Sequence, residues 1–141
     1  MDKYIGLDLG TTTLGIAYSD SLGFVHGIET FRFPKDAYSQ ARKKVGEIST
    51  KYGIINIVIG LPINMDGTEG FRAQSSHKFK EDLQKEYPQL KIELQDERMT
   101  SISAHKTLYE LNLNSKKHKD SVDRLAACEI LDFYLRTKGN K

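Results

Sequence analysis

Cysteine is nearly missing from this chain: Cys128 stands alone among 141 residues. A single thiol cannot close an internal disulfide, which points to a reducing compartment. No apolar run approaches the roughly 18–20 residues that span a bilayer, so no membrane association is expected. Asp2 and Asp8 interrupt the opening residues, which therefore lack the basic-then-apolar pattern of a secretory leader. A cytoplasmic protein is the expectation. Neither sign of charge is in clear excess, and a formal net charge of +2 is too small to demonstrate an anionic partner by itself. No repeat, low-complexity tract or linker breaks the chain, so a single domain over residues 1–141 is expected. An apolar fraction of 38% and a charged fraction of 28% suit a folded domain of that size.

What is present is ordered by changes of period. Residues 3–9 and 14–19 read as a hairpin around a Gly-Thr turn, and Phe24 to Phe33 as a third strand stopped by Pro34. From Asp36 to Tyr52 the apolar positions Ala41, Val45, Ile48 and Tyr52 recur at helical spacing, and Gly53 ends them. Ile54 to Gly60 is a continuous apolar run of the kind that parallel strands show when both faces are covered. A polar loop from Leu61 to Gly70 precedes a helix carrying Phe79, Leu83 and Tyr87, then Pro88. Lys91 to Gln95 reads as a fifth strand running into Asp96-Glu97-Arg98. A helix with Ile102, Leu108 and Leu111 follows, then a polar connection over 112–119. The final helix, from about Asp120 to Arg136, is expected to bury Val122, Leu125, Ala126, Ile130, Phe133 and Tyr134. The fold class is α/β: an antiparallel meander continued by βαβ crossovers into a five-stranded mixed sheet with helices on both faces.

Such sheets collect ligands outside the carboxyl ends of their parallel strands. Asp8, Gly60 and Asp96-Glu97 all fall there, and Asp123 lies near the apolar face of the last helix. Crowded carboxylates repel one another unless a hard divalent cation neutralises them, which makes Mg²⁺ or Mn²⁺ the expected cofactor. Histidine is missing from all three acidic segments, so metal-assisted chemistry fits better than imidazole acid–base work. The four histidines, at 26, 77, 105 and 118, read as structural or surface residues, and Cys128 as a buried thiol. The glycines at 6, 10 and 15 allow a backbone or a phosphate to come close. The basic runs Arg42-Lys43-Lys44 and Lys116-Lys117-His118-Lys119 read as solvated surface unless the catalysis requires a polyanion.

Four motifs together resemble the YqgF/RuvX family. They are Gly6-Leu7-Asp8-Leu9-Gly10 with Gly15 to Asp20, Gly60 to Gly70, Asp96-Glu97-Arg98-Met99-Thr100, and Val122 to Ala127. The resemblance spans nearly the whole chain. It implies an RNase H-like fold and a metal-dependent nuclease that processes the 5′ end of pre-16S rRNA or resolves Holliday junctions in branched DNA. It further implies Asp8, Glu97 and Asp123 as catalytic carboxylates and metal ligands, with Asp96 an open alternative to Glu97. Gly10, Thr11, Asn64, Asp66, Gly67, Thr68 and Arg98 would face the substrate. The family usually carries basic residues where this chain has Thr12 and Thr13, and Lys116, Lys117 and Lys119 would compensate. The expected partner is nucleic acid, and the active form is a monomer or a homodimer. Two rival readings share the scaffold. The run from Asp8 to Thr13 resembles the first phosphate loop of the actin, sugar-kinase and Hsp70 ATPases, whose ATP site lies between two such domains. A non-catalytic RNA- or ribosome-binding module on the same fold is the other.

Overall fold

The structure, a computed structural model, describes residues 2–99 and 116–138. Strands β1 (Tyr4–Leu9), β2 (Thr13–Ser19) and β3 (Val25–Arg32) form the meander. Helix α1 (Tyr38–Tyr52), strand β4 (Asn56–Leu61), helix α2 (Phe71–Glu86) and strand β5 (Lys91–Asp96) follow, and a short 3₁₀ turn (Glu97–Met99) extends β5. Helix α3 (Lys116–Lys138) is the last element described. The helix expected around Ile102, Leu108 and Leu111 lies outside the described residues. The sheet order is β3-β2-β1-β4-β5, antiparallel on the meander side and parallel from β1 through β4 to β5. The expected mixed sheet is therefore the one observed.

Alternation along β1 sorts its side chains cleanly. Ile5, Leu7 and Leu9 join Leu14, Ile16, Ile57 and Ile59 beneath α1 and α2, where Val45, Phe79 and Leu83 complete a large core. Tyr4, Gly6 and Asp8 point to the other face, where Ala17 and Val58 meet Ala126, Ala127, Ile130, Leu131 and Tyr134 of α3. The two faces are built differently. The first takes branched aliphatic residues in depth, whereas the second is lined with small residues, and α3 lies almost directly on the strands.

Glycine makes that approach possible. A Cβ at position 6 would stand 2.8 Å from Leu131 Cβ and 2.9 Å from the Ala127 carbonyl oxygen. At position 15 it would stand 2.1 Å from the Asp123 carbonyl oxygen. Gly6 and Gly15 thus admit a helix backbone, the first of the two roles their sequence position allowed.

Three features differ from the sequence expectation. Strand β4 begins at Asn56 because Ile54 still belongs to the end of α1: its N–H donates to Ser49 O at 3.1 Å, and Gly53 takes the left-handed turn at φ 65°. Lys116, Lys117 and Lys119, expected in a connection, lie within helix α3 as described, Lys116–Lys138. A charged run without apolar residues at helical spacing carries no periodic signal, which is why it does not read as helical. Within α3, Leu125, expected to be buried, is 37% exposed, and Leu131, outside the expected set, is fully buried. Val122, Ala126, Ile130 and Tyr134 are buried as expected, Asp123, Ala127 and Leu131 join them, and Phe133 is only half-buried.

Replacing Gly15 with alanine tests this packing. The added methyl must push α3 off the sheet, at a cost typical of overpacked cores, roughly 1–3 kcal/mol. Urea unfolding of Gly15→Ala should show a lower midpoint than the parent; an unchanged midpoint would mean that α3 does not rest on β2.

Candidate active site

Asp8 is the next-to-last residue of β1 and points to the α3 face. Its neighbour across the antiparallel ladder is Gly15. The parallel register Leu7↔Ile59, continued by one residue, places Gly60 on its other side. Neither neighbour carries a side chain, and the space each leaves is filled from above. The Asp123 backbone covers Gly15, while a Cβ at Gly60 would lie 2.7 Å from Glu97 Oε1 and 2.4 Å from Ile130 Cδ1. Asp8 therefore stands between two bare positions, with Asp123 over one and Glu97 over the other. Two strand spacings amount to roughly 10 Å, so the three residues share one small patch.

All three carboxylates are buried: Asp8 is 4% exposed, Glu97 8% and Asp123 8%. Desolvating several like charges in one patch is expensive, and proteins do it where something else offsets the charge. Position explains how each arrives there. Asp123 heads the buried stripe of α3, one turn before Ala126 and Ala127. Glu97 opens the 3₁₀ turn that follows β5, and that turn swings its side chain back over Gly60.

Asp96 has a different environment. Arg98 Nη2 and Nε donate to Asp96 Oδ2 at 2.8 and 3.0 Å, and the Arg98 backbone N–H donates to Oδ1 at 2.8 Å. The Arg98 hydrogen bonds hold the Asp96 carboxyl below its usual value, against a burial effect in the opposite direction. Such forked pairing fixes the guanidinium plane. Arg98 also reaches the 62–70 loop, where its Nη1 would lie 3.5 Å from a Cβ on Gly67. The two adjacent acidic residues thus face different partners, a distinction that strand alternation does not supply.

The other expected contact residues are tied into backbone structure. Gly10 N–H donates to Thr13 O at 2.8 Å, and Thr11 O accepts from the Asp36 N–H at 2.9 Å. Asn64 Nδ2 donates to Thr68 Oγ1 at 3.0 Å, and Thr68 N–H and Oγ1 donate to Asp66 Oδ1 at 2.9 and 2.6 Å. Gly67 turns the loop tip at φ 90°, a conformation that suits glycine. The polar groups of the loop thus shape it from within. His26 and His77 pair with Asp20 and Glu69 at 2.8 and 2.6 Å, away from the carboxylate patch. Cys128 is half-buried, and burial raises its thiol pKa.

One residue near the site goes unnoticed in the sequence. Arg72, in the first turn of α2, donates from Nη2 to Leu9 O at 3.2 Å, placing a cation at the carboxyl end of β1. An arginine at that position in a polar helix carries no sequence signal.

Oxygen-only donors without nearby histidine or thiolate match a hard divalent ion. Among the described residues, no group of three or more His, Cys, Asp or Glu side chains is arranged to hold an ion by itself. Mg²⁺ is commonly held by one or two carboxylates, with water and substrate phosphates completing its shell, and the buried carboxylates fit that pattern. Among the described residues, no helix is long and apolar enough to cross a membrane.

Asp66 offers a check on the loop. The Thr68 hydroxyl and N–H hold its carboxyl below the usual value of 3.8. The interaction is therefore complete above that value and is lost as pH falls through the lowered one. The Thr68 amide resonance should titrate with a midpoint below 3.8; a midpoint at or above it would contradict the bond.

Residues 2–137 match the family model described as "RuvX: Holliday junction resolvase". A protein of Geobacillus sp. (strain WCH70) named "Putative pre-16S rRNA nuclease" is 40% identical over 137 residues, covering 96% of this chain and 99% of the relative. A protein of Acetivibrio thermocellus with the same name is 36% identical over 138 residues, covering 97% of each. The Thermus thermophilus RuvC structure solved with a Holliday junction substrate superposes with a TM-score of 0.58 at 13% identity, over 98% of this chain and 97% of that one. At that identity the likeness concerns the fold, and it is the RNase H-like one that the motifs implied.

Proposed function

Since the chain belongs to the RuvX family, we propose that it is a divalent-metal-dependent nuclease that hydrolyses phosphodiester bonds, acting in the 5′-end processing of pre-16S rRNA. The observation that carries this reading is the burial of Asp8, Glu97 and Asp123 on one face of the sheet, beside two glycines. Mg²⁺ or Mn²⁺ held there would polarise the phosphate, activate water and stabilise the leaving oxygen. Asp8, Glu97 and Asp123 would be its ligands. Arg98 would bind a substrate phosphate through its planar fork, and Asp96 would orient Arg98 instead of ligating metal. Gly10, Thr11 and the loop bearing Asn64, Asp66, Gly67 and Thr68 would border the substrate, and α3 would bring Lys116, Lys117 and Lys119 to its backbone. The protein would act in the cytoplasm, as a monomer or a homodimer.

Resolution of Holliday junctions is the second reading, favoured by the description of the matching family model. Phosphate contacts are common to both substrates, whereas contacts to the 2′-OH separate RNA from DNA. Cleavage assays on a structured pre-16S 5′ leader and on a four-way DNA junction, side by side, distinguish them. Cutting of the RNA alone supports the first reading, and cutting of the junction alone replaces it with the second.

The roles within the site separate by substitution. Asp8→Asn and Glu97→Gln should each lower kcat by at least about a hundredfold, the scale of losing one group that stabilises a transition state. Asp96→Asn should act mainly on KM. If Asp96→Asn is as inactive as Glu97→Gln, the division between the two acidic residues is wrong. Reversing the charges of Lys116, Lys117 and Lys119 should flatten the dependence of nucleic-acid affinity on salt. The log–log slope should fall by roughly 0.7–0.9 for each phosphate that is no longer neutralised. An unchanged slope returns the three lysines to the solvated surface.

A further inference from the structure

On the face of the sheet opposite Asp8, between α1 and α2, lies a cleft of about 290 Å³ lined in part by Tyr38, Arg42, Phe71, Gln74, Ser75 and Asp82. Its inner wall is aromatic. Tyr38 stands edge-on to buried Phe79 with ring centroids 6.4 Å apart, and Phe71 is 69% exposed at the mouth. Its cations are already engaged: Arg42 pairs with Glu86 at 2.7 Å and Asp82 at 3.8 Å, and Lys78 pairs with Asp82 at 3.2 Å. With Asp36 also on the rim, the cleft does not suit a phosphate. It suits an uncharged planar ring with a polar edge, stacked on the aromatic groups and hydrogen-bonded by Gln74 and Ser75.

The cleft does not stand alone. A narrower recess lined by Leu9, Gly10, Thr11, Phe71, Arg72 and Ser75 adjoins it, sharing Tyr38, Phe71 and Ser75 with the cleft. That recess begins at the residue after Asp8. The shared residues place the cleft next to the Gly10-Thr11 turn and the carboxyl end of β1. Arg72 stands beside it with its guanidinium on Leu9 O, where a sugar–phosphate backbone would pass.

We propose that this cleft is a subsite for one unstacked base of the nucleic-acid strand whose phosphate lies at Asp8, the base stacking on Phe71 and Tyr38. The proposal rests on the nuclease reading and adds to it a requirement for a single-stranded nucleotide next to the cleaved bond. A volume at the small end of ligand sites admits one base and excludes a duplex.

The test measures binding without turnover. Fluorescence anisotropy on Asp8→Asn protein would compare a five-nucleotide single-stranded RNA with the same strands carrying one abasic position, placed at each site in turn. Adding Phe71→Ala should weaken binding of the intact strand about tenfold, the scale of one base–aromatic stack. At one abasic position it should change nothing further, and Phe71→Tyr should restore the intact-strand affinity. Equal weakening of the intact strand and every abasic strand, no weakening, or no binding by the intact strand would overturn the proposal. Parent protein that cuts nucleic acid without this dependence on Phe71 sinks the subsite alone. Base-dependent binding in a parent protein that never cuts sinks the nuclease reading and leaves the base subsite.

Discussion

The closeness of α3 to the sheet is the constraint on which the rest of this structure depends. Only a surface with no Cβ at positions 6 and 15 lets a helix backbone settle within van der Waals contact of strand backbone. That contact seats Asp123 beside Asp8 without any loop to carry it. A helix resting on ordinary side chains would stand farther off, and Asp123 would be an exposed residue on a solvated turn. The small-residue face of the sheet therefore sets the position of Asp123 as well as the packing of the helix. The opposite face, filled with branched aliphatics and aromatics, supplies the larger share of the hydrophobic core.

The far end of α3 is secured separately. Tyr134 donates to Glu93 on β5, Lys138 contacts the hydroxyl of Tyr4, and the Lys138 ammonium lies 4.7 Å from the centre of the Tyr4 ring. Tyr4 and Tyr134 pack at 5.3 Å between centroids. Burial together with the neighbouring Glu93 carboxylate raises the Tyr134 pKa well above the usual phenol value, so the hydroxyl stays protonated and acts as a donor. This clasp at the amino ends of the parallel strands and the glycine contacts at their carboxyl ends hold the helix at both poles. Elements held in this way keep the Asp8 and Asp123 side chains in fixed positions.

Much of this was legible in the sequence, for definite reasons. The meander, the switch to parallel strands and the strand-end positions of Asp8 and Glu97 follow from period and punctuation, which are local properties. That Asp8 and Glu97 lie at the same end of the sheet follows from its topology, whereas the position of Asp123 depends on how the last helix packs over Gly15. What local pattern could not supply was the orientation of adjacent residues after a strand ends. Asp96 and Glu97 differ because a 3₁₀ turn intervenes, and nothing in Asp-Glu-Arg announces that turn. The burial of Leu131 in place of Leu125 is a similar case. Both are leucines on one helix, and the glycine rows of the sheet decide which of them faces inward. The positions of Phe71 and Arg72 depend on where the start of α2 lies relative to β1, a tertiary relation invisible in a polar helix.

In the proposed site Asp8, Glu97 and Asp123 would share one hard cation whose shell water and substrate phosphate complete, while Asp96 would orient Arg98. Anomalous diffraction from crystals of the protein grown with Mn²⁺ tests it most directly. The expected result is a manganese peak between the Asp8, Glu97 and Asp123 carboxylates on the α3 face of the sheet, with Asp96 still bound to Arg98. A peak ligated by Asp96 in place of Glu97, or no peak beside Asp8 at saturating Mn²⁺, would contradict it.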